Sequence, residues 1–84
     1  MQIEGNKVIF WSTAEHYALE KSGQKPCTIR LMTTDEHQRI LSADPKFIEI
    51  RTATSGAGVL RTLSWWGIID MLLGKLLVVF CWER

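Results

Sequence analysis

The segment Leu76-Leu77-Val78-Val79-Phe80-Cys81-Trp82 constrains this chain more than any other. Seven consecutive apolar residues fall far short of the roughly 20 that span a bilayer as a helix. Asp70 and Lys75 stop any extension backwards. Read as a strand, the segment is apolar on both faces, which places it inside a sheet rather than at its edge. A chain of 84 residues has room for one domain around such a strand, so residues 1–84 are read as a single unit.

The punctuation of the rest predicts an α+β domain. About five strands form a small barrel or a strongly bent mixed sheet, accompanied by two short helices. Residues 7–11 read as a strand. Ser12-x-x-Glu15 is a capping box that opens a helix over 13–22, with Gly23 as its C′ residue. A strand over 27–32 follows, then a second capping box, Thr33-x-x-Glu36, on a helix ending near Ser42. Residues 47–54 alternate, with Ile48 and Ile50 opposite Glu49 and Arg51, as a half-buried strand should. Ser55-Gly56-Ala57-Gly58 reads as a hairpin loop and 59–69 as the returning strand. Residues 70–75 make a turn, or one helical turn, before the last strand. Trp65 and Trp66 are adjacent and must point to opposite faces. One enters the core; the other lies under a helix, against a second copy of the chain, or against a base.

Ten Lys+Arg against nine Asp+Glu exclude a strongly basic nucleic-acid wrapper but leave room for a local basic patch. Cys27 and Cys81 are too few for a disulfide scaffold and too far apart for a local metal knuckle, and His16 and His37 lack zinc spacing. No metal and no cofactor are expected, and both cysteines read as small buried apolar residues. The first residues have no apolar run of signal-peptide type. The expectation is a soluble, cytoplasmic, reduced protein of bacterial or phage size, with no membrane partner.

The strand over 27–32 carries the most chemistry. Its period of two sends Cys27, Ile29 and Leu31 to the core and Thr28 and Arg30 outward, with Lys25 just ahead in the turn. A hydroxyl, a guanidinium and an ammonium at one sheet corner suit a phosphate, a carboxylate or a polarised carbonyl. An ordinary solvated strand face is the alternative. Arg51 and Arg61 flank the glycine loop. They extend a basic groove if they share the face of Arg30, and otherwise pair across strands with Glu49.

Gly23-Gln24-Lys25-Pro26-Cys27-Thr28-Ile29-Arg30, directly after a Glu-rich helix, resembles the Gly-x-Lys-x-x-[Thr/Glu]-x-Arg signature of ASCH (ASC-1 homology) domains in the PUA-like superfamily. The resemblance implies a cleft beside the signature that takes RNA, a nucleoside or a nucleotide. In such a cleft Lys25, Thr28 and Arg30 would bind the ligand and Trp66 would stack on a base. One branch, the small bacterial N4-acetylcytidine amidohydrolases, implies catalytic roles for Lys25 and Thr28 with a downstream carboxylate. Asp70 is the acid this chain offers in that region. A desolvated lysine would activate the threonine hydroxyl or a water, and the carboxylate would orient it. A third expectation is a non-enzymatic interaction protein, such as a phage inhibitor of a host protein, docking through an exposed apolar strand face.

Overall fold

The computed structural model describes residues 1–13, 26–52 and 58–83. Its elements are β1 (Gln2–Glu4), β2 (Lys7–Ser12), β3 (Cys27–Met32), α1 (Thr34–Ala43), β4 (Phe47–Thr52), β5 (Gly58–Leu72) and β6 (Lys75–Trp82). The six strands form one mixed sheet in the order β1-β2-β4-β5-β6-β3. β2 and β4 run parallel, and the other neighbours are antiparallel. The expected five strands are corrected to six, and one of the two expected helices falls among the described residues. The helix expected over 13–22 and the loop expected over 55–58 lie almost wholly outside those residues.

β5 is the spine. Its first residues pair with β4 and the remainder with β6, and register shifts fall between Leu63 and Trp65 and between Ile68 and Asp70. Bulges of this kind bend a strand and sharpen its twist. The bend brings β3, at one end of the sheet, back towards β2, although the two are not paired and no barrel closes. β6 lies between β5 and β3, as its two apolar faces require.

One face of the curled sheet makes the core. Val8, Phe10, Ile48, Ile50, Val78, Phe80 and Trp82 line it, with Met32 from β3 and Ile40 from α1. Phe80 has no exposed surface; it meets Phe10 across the bend at 4.9 Å and stacks on Trp66 at 5.6 Å. Burying a ring of that size contributes about 2–3 kcal/mol. α1 starts as its sequence predicts. The Thr33 hydroxyl accepts from the Glu36 amide while the Glu36 carboxylate accepts from the Thr33 amide at 3.0 Å. The bond from the Thr33 amide, and after it that from the Thr33 hydroxyl, holds the Glu36 carboxyl below its ordinary range.

The faces of β3 are the reverse of the expectation. Thr28 and Met32 are buried, whereas Ile29 and Leu31 are 57% and 48% exposed. The reason is the register with β6. Thr28, Arg30 and Met32 sit opposite Phe80, Val78 and Leu76, the inward residues of that strand. Cys27 and Cys81 are also corrected. They face each other in register and form a disulfide on the outer face of the sheet.

Candidate functional site

Arg30 is the best-defined polar feature of the concave side. Its Nε donates to the Thr28 hydroxyl at 3.1 Å, one terminal nitrogen donates to the Trp11 carbonyl at 2.8 Å, and the other to the Ser12 hydroxyl at 2.7 Å. The guanidinium carbon lies 4.9 Å from the centre of the Phe10 ring, a cation–π distance. Arg30 therefore ties the end strand β3 to the C-terminal end of β2 across the gap where the sheet fails to close. A lysine could not hold three partners in one plane in this way.

A hollow of about 210 Å³ opens at that gap. Its walls are Phe10 and Trp11 of β2, Arg30 to Met32 of β3, Glu36 of α1, and Met1. It combines a cation, the Phe10 ring and polar backbone that includes the Trp11 carbonyl, while the Trp11 ring lies 6.0 Å from the Arg51 guanidinium carbon. Sequence reasoning found Arg30 and Thr28 but missed Phe10, Trp11, Ser12 and Glu36. The adjacent aromatics at the end of β2 were the available signal. What hid them was that β2 and β3 meet only through the curl of the sheet.

The other expected site residues are dispersed. Lys25 lies outside the described residues. Thr28 is only 2% exposed, its hydroxyl occupied by Arg30. Trp66 lies beneath α1, stacked on Phe80 with His37 edge-on at 5.7 Å, so this indole belongs with the core. Its neighbour Trp65 is the exposed one. Asp70 is exposed on β5 opposite Leu77 and binds its neighbour's amide. Thr28 is opposite Phe80, three registers away on the other face of the sheet, so the two are not brought together. Arg61 shares the face of Arg30, being opposite Ile48, while Arg51 is on the outer face with Glu49.

The outer face of β2 and β4 holds a second polar constellation. The Glu49 carboxylate accepts from Lys7 at 2.9 Å and from the Nε of Arg51. Bonding to Arg51, then to Lys7, holds the Glu49 carboxyl below its usual range, and the Glu49 bond raises Lys7. A Cβ on Gly58 would fall 2.6 Å from the Glu49 Cγ, so a glycine is required where β5 passes over the pair. Among the described residues no cluster of His, Cys, Asp or Glu could hold a metal ion, and no helix is long and apolar enough to cross a membrane. No family model, curated protein or solved structure matches this chain.

Proposed function

We propose that this chain is a small ASCH-like domain that binds RNA or a nucleotide-like ligand at the gap between β2 and β3. The observation that carries the reading is Arg30, a cation lying against the Phe10 ring on the wall of a hollow also lined by Trp11. Positive charge beside aromatic faces is the combination that takes a phosphate and an adjoining base. Lys25, five residues before Arg30 in the sequence, is the second cation of the motif on which this reading rests. A cytoplasmic site of action goes with the ligand class. Disulfides are usual in oxidising compartments, so counting free thiols in protein taken from cells tests that location directly.

The test is fluorescence anisotropy with a labelled, short, mixed-sequence single-stranded RNA, with cytidine monophosphate as competitor, at stated salt. Saturable binding that weakens as salt rises is expected. Lys25→Ala and Trp11→Ala are each expected to weaken it about tenfold, the size of one lost stack or contact. Arg30→Ala is the less informative variant because it also unties β3. Absence of saturable binding at low salt, or unchanged affinity in both variants, overturns the proposal.

A further inference from the structure

Antiparallel sheets with one wet face normally alternate apolar and polar residues. The β3–β6–β5 half of this sheet does not. Its inner face is core except at the far end of β5, where Ile68 and Met71 are exposed, yet its outer face carries Ile29, Leu31, Leu77, Val79 and Trp65, all at least partly exposed. The Trp65 ring folds back over Gly67, where a Cβ would sit 3.0 Å from the indole, so a large rigid side chain lies flat along the strand. Beyond it the β5–β6 hairpin ends in Leu72 and Leu73, the latter 94% exposed.

We propose that this outer face is the interface of a two-fold dimer of the chain, independent of the Arg30 hollow. Area is the first argument. A standard interface covers roughly 800 Å² on each partner, and Ile29, Leu31, Trp65, Leu72 and Leu73 each leave on the order of 100 Å² or more uncovered, which supplies most of it. Charge is the second. The face and its hairpin tip carry one acid, Asp70, and one base, Lys75, and neither forms an ion pair among the described residues. A net-neutral surface with one charge of each sign is self-complementary under a two-fold axis, as an isologous contact must be. Trp65 supplies the kind of aromatic anchor that dominates such interfaces.

Sedimentation of the full chain across a concentration series tests this. A dimer of twice 9.6 kDa is expected at micromolar concentration. Ile29→Asp and Trp65→Ser are each expected to weaken it at least about thirtyfold, with circular dichroism unchanged because both side chains are exposed. RNA binding measured on the resulting monomers separates this inference from the ligand proposal, since neither residue lines the Arg30 hollow. A wild-type chain that stays monomeric throughout the series overturns the inference. So does a dimer that both folded variants retain.

Discussion

The outer face of β2 and β4 carries Lys7, Glu49 and Arg51 beside the buried Ile9 and the Trp11 ring; the outer face of β3 and β6 carries Ile29, Leu31, Leu77 and Val79. Both belong to one sheet and both back onto one core. In the first half the outward groups satisfy one another, with Glu49 almost wholly buried between two cations. In the second half Asp70 and Lys75 form no ion pair among the described residues, and a covalent bond between Cys27 and Cys81 holds the end strand instead. The difference separates a finished surface from an unfinished one. The polar half is complete as a monomer, while the apolar half gains further only by being covered.

The disulfide gives the largest expected effect. It joins residues 54 apart, and closing a loop of that size restricts the unfolded chain by about 4 kcal/mol. A domain of this size has a total stability of roughly 4–12 kcal/mol, so the Cys27→Ser, Cys81→Ser variant should lose a large share of it. Urea midpoints with and without reductant read the loss. Hydrogen exchange sharpens the comparison: β3 amides should exchange faster while those of β2 and β4 keep their relative protection. Identical midpoints would show that both halves stand without the staple.

Glu49→Ala breaks the other half, at an expected cost of about 2 kcal/mol. Removing one member of a buried pair strands the charges it compensated, but Lys7 and Arg51 are about a quarter exposed and regain some water. The linkage has a definite sign. The lowered Glu49 carboxyl contributes stability above the ordinary carboxylate range, and this is lost as pH falls through its depressed value. The raised Lys7 contributes below the ordinary lysine range, and this is lost as pH rises through its elevated value. Thermal melts of the wild type should therefore plateau around neutrality and fall towards both ends. The acid limb should flatten in Glu49→Ala, and an unchanged limb would mean that the network adds nothing.

The same contrast explains what the sequence made legible. α1 was readable because its capping box is a local device, complete within Thr33 and Glu36. Alternation placed Glu49 and Arg51 opposite Ile48 and Ile50, and the structure agrees, since both faces of β4 differ in polarity. Alternation failed on β3. Its neighbour β6 is apolar on both faces, so polarity could not say which set of β3 residues turns inward, and register decided for Thr28, Arg30 and Met32. Register also hid the disulfide, because the facing of Cys27 and Cys81 depends on a strand pairing that spans most of the chain. The hollow at Arg30 was half legible: the cation is in a motif, but its aromatic wall arrives from β2 through the bend.

Leu73 offers the smallest and most discriminating test. It and Gly74 occupy the two central positions of the β5–β6 turn with φ of 52° and 76°. Such turns favour Asn-Gly, and a leucine held in the left-handed region costs about 1 kcal/mol. A bulky apolar residue placed there and left 94% exposed gains nothing within the monomer. Leu73→Asn should therefore raise monomer stability by about 0.5–1 kcal/mol, a few degrees in melting temperature. The same change should loosen the dimer severalfold, because it removes an apolar contact at the tip. Opposite signs in the two measurements would identify the strain as maintained for association. A variant that melts higher and associates as before would exclude the tip from the interface and confine it to the flat face around Trp65.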